Sequence, residues 1–128
     1  MPRPVSTQPT DVELQILRIL WRDGPCIARH VHDCLLESKE TSYSTTVKML
    51  SVMLEKGLLK RDDDVRPQVY RPAAAQHKTQ KRILGDLIDK VYDGSAKMLM
   101  LHVLSSKKAT PEELDEIRQL LQELEGKS

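Results

Sequence analysis

A chain of 128 residues, 39% apolar and 30% charged, has the length of one domain, or of a small domain with an appendage. One Trp, three Tyr and no Phe leave the core to Leu, Ile, Val and Met, which favours helices over a β-sandwich. The formal charge is +1, with 11 basic and 10 acidic side chains in residues 1–73 and 9 of each in residues 74–128. This excludes a polycation held to nucleic acid by bulk charge, so any such binding must come from local placement of charge, summed over two subunits.

No stretch is apolar over the length of a bilayer, and Met1-Pro2-Arg3-Pro4-Val5-Ser6 lacks the apolar centre of a signal peptide. The expected location is the cytoplasm, without direct membrane binding. Two cysteines are too few for a disulfide framework and would stay reduced there.

Residues 1–9, with three prolines, read as a flexible arm. Thr10-Asp11-Val12-Glu13 is a capping-box pattern, and Leu14, Leu17, Leu20 and Trp21 follow at helical spacing until Asp23-Gly24-Pro25 stops the helix. A second helix is expected from Ile27 to Leu36, with Ile27, Val31, Cys34 and Leu35 inward. The third is the most informative. Tyr43, Val47, Leu50 and Leu54 recur at i, i+4, i+7 and i+11, Ser42 or Thr41 can cap the start, and Gly57 can take the left-handed position after the end. Its other face carries Ser44, Thr45, Lys48 and Ser51, with no carboxylate until Glu55. Short hydroxyls and one cation suit phosphates and base edges, which an acid would repel. Three short helices with tight links, the third poor in acid, have the pattern of a helix-turn-helix.

Beyond Gly57 the pattern shortens. Leu58–Arg61 and Gln68–Arg71 read as two strands around the loop Asp62-Asp63-Asp64-Val65-Arg66-Pro67, a β-hairpin wing whose Lys60, Arg61 and Arg66 can reach phosphates. The three aspartates oppose this unless the loop turns them away from DNA. Pro72–Ala75 marks the boundary to three more helices. These carry Ile83, Leu84, Leu87, Ile88 and Val91; then Met98, Leu99, Leu101, Val103 and Leu104; then, behind the capping box Thr110-Pro111-Glu112-Glu113, Leu114, Ile117, Leu120, Leu121 and Leu124. About fifty residues enclose little of their own area, so pairing of Ile83, Leu84, Leu87, Ile88, Val91, Leu99, Leu101, Val103, Leu114, Ile117, Leu120, Leu121 and Leu124 with an identical copy is expected.

The fold class is therefore mainly α with a small β-hairpin: an arm at 1–9, a winged-helix DNA-binding domain at 10–73 and a three-helix dimerisation domain at 74–128. Cys26, His30 and Cys34 fall at i, i+4 and i+8 of the second helix with His32 beside them. The two thiols would lie about 12 Å apart along that helix, too far for one disulfide or one metal ion, so Cys34 reads as a core residue and the histidines as surface or partly packed. His77 and His102 have no Cys or His neighbour. No phosphate loop, acid pair or Ser/His/Asp grouping points to an enzyme, and no cofactor or resident metal is expected.

Taken together, Leu14-Gln15-Ile16-Leu17-Arg18-Ile19-Leu20-Trp21, Tyr43-Ser44-Thr45-Thr46-Val47-Lys48, Glu55-Lys56-Gly57-Leu58-Leu59, Val69-Tyr70-Arg71, Gly94-Ser95 before a Leu-rich segment, and the Thr110–Arg118 ending resemble the BlaI/MecI-type penicillinase and methicillin-resistance repressors and their copper-responsive relatives. The resemblance covers about residues 10–125. It implies a winged-helix repressor that binds a two-fold symmetric operator as a homodimer. The positions matching the family's major-groove contacts are Ser42, Tyr43, Ser44, Thr45, Val47 and Lys48. Some relatives have arginine where this chain has Val47, so base preference does not carry over. The β-lactam branch is derepressed through a membrane metalloprotease sensor, by cleavage between an asparagine and a phenylalanine. The matching pair here is His102 and Val103, and the change of both residues opposes cleavage at that bond. The cysteine cluster that ends the copper branch is missing after Cys34.

The function expected is operator-specific repression by a homodimer on double-stranded DNA, with release by proteolysis through such a sensor or another protease as one route. Two other classes fit the sequence: a metal- or redox-responsive winged-helix regulator using Cys26, His30 and Cys34, and a winged-helix module for protein–protein contact.

Overall fold

A computed structural model describes residues 8–106 and 109–127; most of the expected N-terminal arm lies outside them. Six helices and three short strands follow in the order α1 (Asp11–Asp23), β1 (Cys26–Ile27), α2 (Ala28–Leu35), α3 (Tyr43–Glu55), β2 (Leu59–Asp62), β3 (Val69–Pro72), α4 (Gln76–Val91), α5 (Ala96–Ser105) and α6 (Pro111–Gly126). By compactness the chain divides into a unit ending at Arg82 and a unit beginning at Ile83, a division that falls inside α4.

The helix ends obey local chemistry. At α1, Thr10 Oγ1 accepts from the Glu13 amide at 3.2 Å while Glu13 Oε1 accepts from the Thr10 amide at 2.8 Å, the expected reciprocal box. Thr110 and Glu113 repeat it ahead of Pro111. The end of α3 is a Schellman turn. Leu58 N–H donates to the Met53 carbonyl at 2.9 Å, Gly57 N–H donates to that of Leu54 at 3.1 Å, and Gly57 sits at φ +78°. Leu58 and Met53, joined by that bond, are both buried.

The first unit has one core, made by Ile16, Leu17, Ile19 and Leu20 of α1, Val31 and Leu35 of α2, Leu50 and Met53 of α3, and Leu58, Leu59 and Tyr70 around the sheet. Ile16 and Ile19 are deeper in it than Leu14 or Trp21. On α3 the buried stripe is Thr46, Leu50 and Met53, not Tyr43, Val47, Leu50 and Leu54: Tyr43 is 40% exposed, and Val47 and Leu54 are half-buried. The helix is rotated by about one residue from the apolar pattern because Thr46 has an inward polar partner, described below. Lys56 Nζ reaches back 2.7 Å to Glu13 Oε1, and both side chains are largely buried. The Trp21 indole N–H donates to the Ala74 carbonyl at 3.0 Å, tying the chain after β3 to α1.

The wing is part of a three-stranded antiparallel sheet of order β1-β3-β2, rather than an isolated hairpin. Cys26 pairs with Tyr70 and Ile27 with Val69 on one side of β3; Lys60 pairs with Arg71 and Arg61 with Tyr70 on the other. β1 takes Cys26 and Ile27 out of the second helix, which begins at Ala28. The Cys26–His30–Cys34 stripe therefore does not exist on one helix.

In the second unit Asp93 (φ 50°) and Gly94 (φ 83°) turn the chain after α4, and Ser95 caps α5 by accepting from the Met98 amide. None of its described residues is fully buried.

Candidate nucleic-acid interface

The start of α3 is fixed to α2 by side chains. His32, expected at the surface or partly packed, is buried, with Nδ1 2.9 Å from Thr46 Oγ1. Thr46 Oγ1 in turn lies 3.4 Å from the Ser42 carbonyl. The His32 ring meets the Tyr43 ring edge-on at 5.5 Å, and the Arg29 guanidinium lies over that same ring, 4.2 Å from its centre. An aromatic sandwiched in this way, with a buried polar link beneath it, holds the first turn of α3 at one angle and height.

That first turn presents hydroxyls. Ser42 Oγ accepts from the Thr45 amide at 3.1 Å, donates to Thr45 Oγ1 at 2.8 Å and lies 3.1 Å from Ser44 Oγ. Ser42, Ser44, Thr45, Lys48 and Ser51 are all exposed. No acidic residue lies in the first turn. The positive end of the helix dipole, its orphan N–H groups and three short hydroxyls therefore form a surface that attracts a phosphate oxygen and lets it approach closely. Among the described residues Lys48 has no acidic partner.

The wing's cations are less free. Lys60 is exposed on β2. Arg61 is paired with the Asp63 carboxylate, and its pKa is raised chiefly by that hydrogen bond and by one to Tyr70. Arg66 Nη1 donates to the carbonyls of Asp63 and Val65 at 2.6 and 3.2 Å, and the Gln68 amide donates to Asp63 Oδ1 at 3.1 Å. The acidic run is thus partly spent inside its own loop, as the staple for the wing tip.

Arg29 is the residue that the sequence did not reveal. Its place at the head of α2 carries no local signal, and only the packing of α2 against α3 sets it on Tyr43. With Tyr43, Val47, Arg66, Gln68 and Tyr70 it lines a cleft of about 420 Å³ between the head of α3 and the wing. Of the residues expected at the site, Tyr43, Val47 and Arg66 share this cleft. Ser44, Lys48 and Ser51 lie along the exposed side of α3, and Lys60 and Arg61 on β2.

A family model described as "Penicillinase repressor" matches residues 9–123. The chain belongs to the penicillinase repressor family. The family consists of transcriptional repressors, not enzymes. Among its curated members, the chain is similar to the penicillinase repressor of Bacillus licheniformis (24% identical over 116 residues, 91% of each chain). It is also similar to the transcriptional regulator BlaI of Mycobacterium tuberculosis (26% over 118 residues; 91% of this chain and 84% of the relative). The methicillin resistance regulatory protein MecI of Staphylococcus aureus is 20% identical over 112 residues, covering 88% of this chain and 91% of that one. The match reaches into α6 and so takes in most of the second unit. Among the described residues no helix is long and apolar enough to cross a membrane.

Proposed function

We propose that this protein is an operator-specific transcriptional repressor that grips double-stranded DNA as a homodimer. Residues 10–73 serve as the DNA-binding domain and residues 74–128 as the dimerisation domain. The head of α3 enters the major groove, with Ser42, Tyr43, Ser44, Thr45, Val47, Lys48 and Ser51 facing the DNA, and Lys60, Arg61 and Arg66 meet the flanking backbone from the wing. The observation that carries this reading is the acid-free, hydroxyl-lined start of α3, locked to α2 through Tyr43, His32 and Thr46. A rigid, anion-attracting helix end is what groove insertion needs, and a solvated helix face needs no such anchoring.

Footprinting on the DNA upstream of the chain's own gene tests it. Two protected half-sites about one helical turn apart, or a small multiple, are expected. Lys48→Ala should weaken binding to all sequences and lower the salt slope by about 1 per subunit if it contacts a phosphate. A Lys48→Ala protein that binds like wild type would remove Lys48 from the interface.

Self-association rests on the exposed apolar faces of the second unit, including Val91 (64% exposed), Leu101 (54%), Leu120 (56%) and Leu124 (65%). In a single chain these cost too much to leave in water. Derepression then follows from whatever breaks the pairing. One such event is proteolysis of the His102–Val103 bond by a membrane metalloprotease sensor or another protease. Both residues lie in α5, and His102 Nδ1 is 3.1 Å from the Tyr92 hydroxyl, so cutting there requires that helix to unwind locally. An intact chain after induction of the host would dismiss that route.

A further inference from the structure

The end of α1 and the outer side of α2 carry a cluster that plays no part in the interface. His30 Nε2 lies 2.7 Å from Asp23 Oδ2 and 3.6 Å from Cys34 Sγ, and the three atoms fall within 4.8 Å of one another. Two features decide what such a cluster can do. First, the same imidazole nitrogen faces both the carboxylate and the thiol. A nucleophile relay needs the two ring nitrogens turned to opposite partners, so this is not one. Three donors converging on a common point is instead the layout of ligands. Second, the place beside them is taken by a cation. Arg22 Nη2 lies 2.9 Å from Asp23 Oδ2 and 3.5 Å from Cys34 Sγ. Asp23 is also the last residue of α1, where the helix dipole adds to the negative potential and makes a cation more welcome.

We propose that Asp23, His30 and Cys34 form a binding site for a first-row divalent cation, zinc before the others, with Arg22 as the cation that stands in when the metal is away. A thiolate with an imidazole and a carboxylate is a donor set for zinc, whereas magnesium and calcium require oxygen alone. Tetrahedral ligands on bonds of about 2.0–2.3 Å sit roughly 3.3–3.8 Å apart. His30 and Cys34 already have that separation, and the shorter His30–Asp23 contact opens once an ion lies between them. On binding, the Cys34 thiol releases its proton to solvent, and His30 ligates as the tautomer that carries its ring proton on Nδ1, leaving the Nε2 lone pair for the metal. Arg22, with its side chain 60% exposed, swings away. Arg22 and Cys34 both line a cleft of about 480 Å³ with Arg18, Trp21 and Glu37, which gives the arginine room and leaves the fourth coordination position open to water. Cys26 is outside the site: its thiol donates to the Gly24 carbonyl at 2.9 Å. Metal would staple the end of α1 to α2, the helix whose Arg29 and His32 hold α3.

Titrating the metal-free full chain with cobalt(II) tests the site. One equivalent per chain should bring a thiolate-to-metal charge-transfer band and visible bands of low-symmetry four-coordination, both abolished by zinc. Cys34→Ser should lose the charge-transfer band, His30→Gln should bind at least tenfold more weakly, and Arg22→Ala more tightly than wild type. Cys26→Ser should match wild type. Saturating zinc should raise the unfolding midpoint of wild type by about 5 °C or more and leave Cys34→Ser unmoved. Circular dichroism of each variant separates loss of the site from loss of the fold. No charge-transfer band at excess cobalt, or a band that survives Cys34→Ser, would overturn the proposal.

Discussion

Two buried polar links decide how the first unit is set. His32 and Thr46 face each other at 2.9 Å with both side chains inside the unit. Thr46→Val fills the same space but leaves His32 Nδ1 unpartnered, so we expect a loss of about 1–3 kcal/mol by urea denaturation, and weaker operator binding because the head of α3 is released. Glu13 and Lys56 form the second link. Burial pushes the Glu13 pKa up, but the Lys56 and Thr10 hydrogen bonds and the Lys56 charge outweigh it and hold the carboxyl below its ordinary value. The stability this contributes is complete above about pH 5 and fades as the pH falls through the glutamate range near 4 and below. A Glu13→Gln chain should therefore lose less stability between pH 5 and pH 3, read from urea midpoints at each pH. Lys56→Met alone, which strands the carboxylate, should cost about 3 kcal/mol at neutral pH.

Single elements carry their own tests. Gly57 ends α3 at φ +78°, and a Cβ there would touch nothing within 4 Å. Gly57→Ala should therefore cost about 1 kcal/mol from backbone strain alone, with no packing penalty, and shift the thermal midpoint without altering DNA contacts. In the wing, Asp63 holds both Arg61 and Gln68. Asp63→Ala removes one negative charge and frees Arg61 to meet a phosphate. We expect affinity for DNA to rise several-fold, with the salt slope steeper by about 1 per subunit. Unchanged affinity in a titration over salt would mean that the wing stays off the DNA.

The two units of the molecule face water in different ways. The first encloses a core of buried side chains from α1 to β3; the second, among its described residues, encloses none. Leu120 and Leu121, 56% and 52% exposed, are the sensitive points for the proposed self-pairing. Leu121→Asp should sediment as a monomer at micromolar concentration, where wild type is expected to be a dimer. It should also lose most operator affinity, as the proposed sharing of phosphate contacts between two subunits requires. A monomeric wild-type chain would remove the self-pairing account of residues 74–128.

The residues themselves determined the helix punctuation: Thr10 with Glu13, Ser42 ahead of α3, Gly57 behind it, and Thr110 with Pro111 and Glu113. Each is a bond between a side chain and a backbone group a few positions away, or a dihedral that glycine alone takes easily, so a local reading suffices. The exposed hydroxyls of α3 and Lys48 were legible for the same reason, through their spacing and the lack of acid. Tertiary structure decided what depends on partners distant in sequence. Cys26 and Ile27 became a strand because β3, more than forty residues later, offers them an edge. Thr46 turned inward because His32 waits beneath it, and that turned Tyr43 outward under Arg29. Asp23 joined His30 and Cys34 because Gly24 and β1 fold the head of α2 back against the end of α1. Periodicity assigns a face to each helix by apolarity alone. It cannot find a face that a buried hydrogen bond or a returning strand has rotated.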